Sequence, residues 1–192
     1  MKRKSIVLTC IVVFLAVALC ACGTKDNRSG AGEAAQDTVY TKSFGTYTVP
    51  AGWIESEKFS SNEKFFYIKE GIKISNKNPK SNISIECGEN DYSIDEETSF
   101  RKAIGNVLMI QLSLMPSANN IFDEYSTTTE QGDSLFVFTI EINERGGTTT
   151  DRQYYIVGDY RHIFIHETDF HDEVTDVGEV AESIANSFAW AE

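Results

Sequence analysis

The segment from Ser134 to Asn143 constrains the fold more than any other part of the chain. Read as an extended strand, it places Phe136, Phe138, Ile140 and Ile142 on one side and Leu135 and Val137 on the other. Strand side chains alternate between faces, so a strand with one wet face shows one polar row. This one needs cover on both faces. Tyr160 to Thr168 behaves the same way, with Ile163 and Ile165 opposing Tyr160, Phe164 and, further on, Phe170. These two segments read as the centre of a sheet with a layer packed on each side.

The remaining strand signals surround that centre. Phe44 to Val49 alternates and stops at the turn Pro50-Ala51-Gly52-Trp53. Lys64 to Ile68 is aromatic and β-prone, and Ile72 to Ser75 is expected to pair with it before a polar loop. Ile83 to Cys87 and Ile121 to Thr129 follow. Glu144 to Gly147 reverses the chain into Thr148 to Val157, and Gly158-Asp159 reads as a tight turn into Tyr160 to Thr168. The last three strands thus read as an antiparallel meander.

Two segments carry the helical period. Ser93 with Glu96 fits a capping box, and Phe100, Ala103, Ile104, Val107, Leu108, Gln111, Leu112 and Met115 follow at three- and four-residue steps until Pro116. The second runs from about Val174 to Phe188, with Val174, Val177, Ala181, Ile184 and Phe188 as its stripe. One helix per sheet face defines an α+β domain: a three-layer α/β/α sandwich around a mostly antiparallel central sheet. A two-layer domain with both helices on one side is the alternative.

The first residues differ in kind from the rest. Lys2, Arg3 and Lys4 precede an apolar stretch from Ser5 to Ala21, the layout of a secretory signal. That stretch is short against the roughly 20 residues of a membrane span. Its ending, Leu19-Cys20-Ala21-Cys22, resembles the bacterial lipobox, with Cys20 a mild departure at its position. The resemblance implies cleavage after Ala21 and a diacylglycerol on Cys22; two acyl chains hold where one is marginal. The expected organisation is a signal peptide over 1–21, a lipid anchor and flexible tether over 22–43, and a globular domain over 44–192. The expected location is the outer face of a cell membrane.

Removing residues 1–21 takes three of the 17 Lys+Arg and none of the 29 Asp+Glu, so 14 − 29 leaves a charge of −15. A domain this acidic is repelled by nucleic acid, which is excluded as a partner. Cys10 and Cys20 leave with the signal and Cys22 is acylated, so Cys87 has no internal disulfide partner. Alternation puts Cys87 on the face of Ile83 and Ile85, where a buried, inert thiol is expected.

The domain as a whole is similar to the PsbP-like family, named for an extrinsic subunit of photosystem II. The residues that carry the resemblance are the opening Phe44-Gly45-Thr46-Tyr47-Thr48-Val49-Pro50-Ala51-Gly52-Trp53, then Tyr154 to Tyr160, then the closing Ala181 to Phe188, which ends as an "I-x-x-S-F". The resemblance implies an antiparallel sheet between helices and a non-catalytic role in binding or assembly. It transfers no site.

Chemistry-bearing residues are few. The chain has no phosphate-cradling glycine loop, no nucleophile elbow and no paired-cysteine motif. His162 and His166 share a strand face but stand about 13 Å apart on a regular strand. His166, Asp169 and His171 are the weak candidates for a metal, since imidazole and carboxylate suit zinc-like ions. Surface or half-buried histidines are the bland reading. Trp53 is the weak candidate for ligand binding and otherwise a core or lid residue. The acids Glu167, Asp169, Asp172, Glu173, Asp176 and Glu179 read as a run that favours a helix start. No cofactor is implied. The expected function is an extracytoplasmic, lipid-anchored, non-catalytic binding or assembly module with a protein partner at the cell envelope. The alternative is a small-ligand or metal-binding lipoprotein serving a transporter or sensor.

Overall fold

The structure is a computed structural model that describes residues 36–75, 78–115, 120–144 and 147–191. In chain order the elements are β1 (Thr38–Lys42), β2 (Gly45–Val49), β3 (Trp53–Glu55), β4 (Lys64–Lys69), β5 (Asn82–Glu89), a 3-10 turn (Ile94–Glu96) leading into α1 (Glu97–Ser113), β6 (Ile121–Thr128), β7 (Ser134–Glu144), β8 (Gly147–Gly158), β9 (Arg161–Asp169), α2 (Val177–Asn186) and β10 (Ala189–Trp190). β3 to β9 form a seven-stranded sheet in the order β3-β4-β5-β9-β8-β7-β6. β1, β2 and β10 form a three-stranded sheet in the order β1-β2-β10. Every strand pairing is antiparallel.

The two-faced pattern of β7 is realised. Leu135 and Val137 join a core with Ile83, Ile85, Ile156, Ile163, Ile165 and the buried side of α2, together with Tyr47 and Val49 of the small sheet. Phe136, Phe138 and Ile140 join the opposite core with Tyr155, Phe100 and Leu108. α1 therefore covers one face of the large sheet, while α2 and the small sheet cover the other. This is the three-layer arrangement, with the second outer layer partly built of strands.

Several boundaries differ from the sequence reading. Thr38–Lys42, expected within the tether, is strand β1 and pairs residue by residue with β2. Its reason is Tyr40, whose ring meets Tyr67 edge-on at 5.3 Å and packs on the core. The domain therefore begins before Phe44, while the signal, Cys22 and the tether up to residue 35 lie outside the described residues. Ile72 to Ser75 forms no strand; Ser75 makes a single bridge with Asn78. The β8–β9 turn lies at Asp159 and Tyr160, with Gly158 paired to Arg161 and Tyr160 in the left-handed region at φ 55°. Gly158 answers to packing: a Cβ there would stand 2.9 Å from the Trp190 ring. The reversal expected at Glu144 to Gly147 falls partly on residues 145–146, outside the described residues.

The expected capping box of Ser93 and Glu96 is formed at the 3-10 turn that leads into α1, with the Ser93 N–H donating to Glu96 Oε2 at 3.2 Å. α2 buries Val177, Val180, Ala181, Ile184 and Ala185, and its flanks Val174 and Phe188 are fully buried.

Candidate functional site

The two ends of the large sheet are finished differently. At one end β3 is three residues long. Its Trp53 is buried, and Lys42 of β1 reaches across to Glu55 at 2.8 Å. At the other end β6 runs for eight residues with all but Phe122 exposed. No strand pairs with its outer edge among the described residues. An open edge presents unpaired N–H and C=O groups and is a template for another strand.

Exposed apolar residues lie on β6 and on α1. On one side lies α1, tied to β6 by the ion pair of Arg101 with Glu124 at 2.7 Å. Its inward row is Phe100, Ile104, Leu108 and Leu112. A second row, Ala103, Val107, Ile110 and Leu114, runs at steps of four, three and four, the spacing of one helix face, and nine residues from Arg101 to Ile110 put it on the side of α1 turned away from β6. Ile110 is 62% exposed and Leu114 80% exposed, with Met109 beside them half exposed. On the other side of the strand, Ile121 and Tyr125 are exposed. The sequence held a signal for this surface that periodicity missed: Ala103 to Phe122 contains no charged residue, the longest such run after Cys22. An inward stripe was legible there, and the second apolar row was absorbed into it.

The other candidate residues are dispersed. Asp169 and His171 do come together: Asp169 Oδ1 accepts from the His171 backbone N–H at 2.7 Å, and His171 Nδ1 stands 3.6 Å from Asp169 Oδ2. The other ring nitrogen of His171 bonds Thr150 Oγ1 at 3.0 Å. His166 turns instead to the other sheet face, with Nε2 2.8 Å from Asp151 Oδ1 but without hydrogen-bond alignment. Alternation divides the trio, because 166 and 169 differ by an odd number. No group of three His, Cys, Asp or Glu side chains among the described residues could hold a metal ion.

Trp53 is a core residue, 3% exposed, and its indole N–H donates to Asp176 Oδ2 at 3.2 Å. Lys69 takes the other oxygen of Asp176 at 2.7 Å. Asp176 is the N-cap residue of α2 yet makes no capping bond; Trp53 and Lys69 hold its carboxylate. Burial works against the charged form there, and the bonds from Lys69 and Trp53 overcome it, leaving the carboxyl below its ordinary value.

Glu167, read with the helix-start acids, belongs elsewhere. It shares the face of Ile163 and Ile165 and is 1% exposed. Arg152 donates to it at 3.0 Å and the Tyr154 hydroxyl at 3.1 Å. Burial raises its carboxyl, against the lowering pull of Arg152 and Tyr154. Gly178 makes room for the pair: a Cβ would stand 3.0 Å from Arg152 Nη1.

Cys87 is exposed, not buried. β5 projects its last residues beyond the core that holds Ile83 and Ile85. Neighbouring protein still desolvates the sulfur enough to raise the thiol above its ordinary value, with Arg161 partly offsetting this. A thiol kept protonated is a poor nucleophile. His162 packs on Phe100 at 5.2 Å and Tyr155 at 5.7 Å between ring centres. Burial lowers it from 6.5 to about 4. Two open concavities of about 470 and 520 Å³ lie beside α2 and beside Cys87. The first is lined by Glu130, Glu179 and Glu182, the second by Glu89, Asp159 and Arg161.

No protein-family model and no curated protein sequence matches the chain. Solved structures do. A crystal structure from Bacteroides thetaiotaomicron VPI-5482 is 12% identical with a TM-score of 0.52, over 82% of this chain and 49% of that one. This chain therefore spans about half of that protein. The solution structure of cyanobacterial PsbP (CyanoP) from Synechocystis sp. PCC 6803 is 12% identical with a TM-score of 0.48, over 86% of this chain and 98% of that one. LpqN of Mycobacterium tuberculosis, described as involved in cell envelope biogenesis, is 14% identical with a TM-score of 0.48, over 84% and 87%. The architecture is α+β, an antiparallel sheet between helices, as the sequence resemblance implied. At these identities the likeness is one of fold and carries no activity with it.

Proposed function

We propose that the chain is a lipid-anchored, non-catalytic docking module on the outer face of a bacterial membrane, binding a protein partner through the α1–β6 side of its sheet. The observation that carries this reading is the exposed apolar residues Met109, Ile110 and Leu114 of α1 and its C-cap, with Ile121 and Tyr125 on the open edge strand β6. Large apolar residues left exposed on neighbouring elements of an acidic protein are a mark of partner binding. The anchor part of the reading rests on the lipobox-like ending at Cys22. It fits a domain in which no helix among the described residues is long and apolar enough to cross a membrane.

Two measurements test it. Mass spectrometry of the membrane fraction should find diacylglycerol on Cys22, and an N-terminus elsewhere removes the anchor. Crosslinking in intact cells should capture a protein partner with the native chain and lose it with Ile110→Glu. Capture unaffected by Ile110→Glu and by Tyr125→Lys removes the α1–β6 surface from the reading.

A further inference from the structure

We propose that the end of the domain at which the chain enters from Cys22 rests on the bilayer itself, with Val39, Leu114 and Ile121 set into the headgroup layer. The proposal rests on the lipid anchor at Cys22. It goes beyond the docking role, because it fixes how the docking surface stands over the membrane.

Strand register identifies that end. Lys42, the last residue of β1, lies over the Phe65 ring at 3.7 Å, and Tyr40 meets the Tyr67 ring at 5.3 Å. Going back along β1 to Thr38 therefore moves along β4 toward Lys69, its last residue. At that end of the large sheet Asn82 pairs with Thr168, Thr168 with Asp151, Thr150 with Glu141 and Glu141 with Ile121. The first residue of β6 thus lies at the end where the chain enters.

α1 arrives at the same end. It starts at the opposite one, where the Ile94 N–H donates to Asp159 Oδ1 at 3.3 Å beside the β8–β9 turn. Its 17 residues then carry it about 25 Å along the sheet. Past its last turn the Asn120 side-chain amide stands 3.9 Å from the Met115 sulfur. Met115 follows Leu114 and Asn120 precedes Ile121, so the two apolar residues are brought to one place.

Exposure marks this end as a contact surface. Leu114, at 80%, and Val39, at 66%, are the most exposed large apolar residues among those described, and Ile121 is 55% exposed. Each ends a different layer: Leu114 caps α1, Ile121 opens β6 and Val39 is the second residue of β1. Together they span the end of the sandwich, the shape that a flat surface requires.

Covalent attachment selects the occupant. From Cys22 to Gln36 the chain advances 14 residues, which reach about 50 Å at full extension. A link this short holds the domain at about millimolar effective concentration beside the bilayer. A shallow contact of three aliphatic side chains is populated under that condition. Carboxylates near this end are engaged: Asp37 accepts from the Ala51 N–H at 3.0 Å, Asp176 is paired with Lys69 at 2.7 Å and Glu173 with Lys80 at 2.7 Å. Uncharged headgroups therefore suit it, and anionic ones add repulsion. Ile110 lies about 6 Å from Leu114 along the helix, and Tyr125 about 13 Å from Ile121 along the strand, both on the side away from the membrane. They remain open to a protein partner.

The test is depth-dependent quenching on the full lipidated chain, reconstituted into phosphatidylcholine vesicles that carry a quencher on the acyl chain near the headgroup. Cys87→Ser removes the other thiol of the domain, and a fluorophore is placed by Leu114→Cys, Ile121→Cys or, at the opposite end, Tyr160→Cys. Apolar groups at an interface sink about 5–10 Å into the boundary of headgroup and acyl chain. Labels at 114 and 121 should therefore lose most of their emission, and the label at 160 should keep it. Equal quenching at 114 and 160, or none at either, overturns the proposal. Adding Leu114→Ser should restore emission at 121 while the chain still floats with the vesicles; unchanged quenching there overturns the apolar contact. A chain that does not float with the vesicles removes the anchor at Cys22 and the proposal together. A floating chain without the 114-against-160 difference, whose crosslinking in cells still depends on Ile110, refutes the proposal alone and leaves the docking surface standing.

Discussion

α1 and α2 cover opposite faces of the same sheet, yet they place their apolar residues differently. α2 has ten residues and buries five of them, and its surroundings include a second small sheet. α1 has seventeen residues and buries three, Phe100, Gly105 and Leu108. α2 is amphipathic in the ordinary sense, with one stripe inward and acids outward. α1 carries one row inward and another outward. The first arrangement maximises what the fold gains from its own helix. The second leaves apolar surface that the fold does not use, and the proposed docking role rests on that surface.

The largest expected effect lies on the α2 side. Phe188 is fully buried, stacks on Phe44 at 6.4 Å and meets Trp190 edge-on at 5.0 Å. Phe188→Ala should cost about 3–5 kcal/mol, read as a lower urea midpoint. A cost near zero would mean that this side is as loosely built as the other.

Gly45→Ala tests the seam between β2 and β10. A Cβ at Gly45 would collide with the Ala189 carbonyl oxygen and stand 2.8 Å from the Phe188 ring. Overpacking of this kind costs about 1–3 kcal/mol, measured by thermal or urea unfolding. An unchanged midpoint would show that β10 shifts freely.

On the α1 side the expected signal is pH dependence. Burial places His162 at about 4 in the folded chain against 6.5 ordinarily. Below about pH 6.5 the unfolded chain takes up the proton first. The neutral ring thus contributes fully above that pH, and its contribution falls as pH drops toward 4, by about 1.4 kcal/mol per pH unit for one proton. His162→Gln should flatten that part of the stability–pH curve by one proton. A parallel curve would show that another group sets the slope.

The smallest expected effect sharpens the comparison most. Leu114 is 80% exposed. Leu114→Ser should change stability by no more than about 0.5 kcal/mol, while partner capture in intact cells falls. A large loss of stability would mean that α1 is packed within the fold like α2 and is not a docking element.

Much of this was legible in the sequence, and the failures have physical causes. The sheet centre was legible because β7 alternates two apolar rows, and a strand period of two maps each row to one face. Cys87 was misread by the same rule. Period assigns a face but not whether the core extends that far, and β5 outruns its core after Ile85. Tyr40 was read with the tether because a single aromatic near polar residues has no period; its place depends on Tyr67, distant in sequence. Glu167 was grouped with its acidic neighbours, although strand alternation aims it at Arg152.

By itself the sequence determined the export-like start, the acidic balance, the single cysteine of the domain, the strand and helix periods and hence a sheet covered on both faces. These depend on residues near one another along the chain. The tertiary structure alone decided that β1 belongs to the domain, that His166 parts from Asp169 and His171, that Glu167 lies buried against Arg152, and that the sheet ends on one side in the short β3 and on the other in the long, exposed β6. Each depends on which strands become neighbours and where the sheet ends, and pairing energy between distant segments sets both.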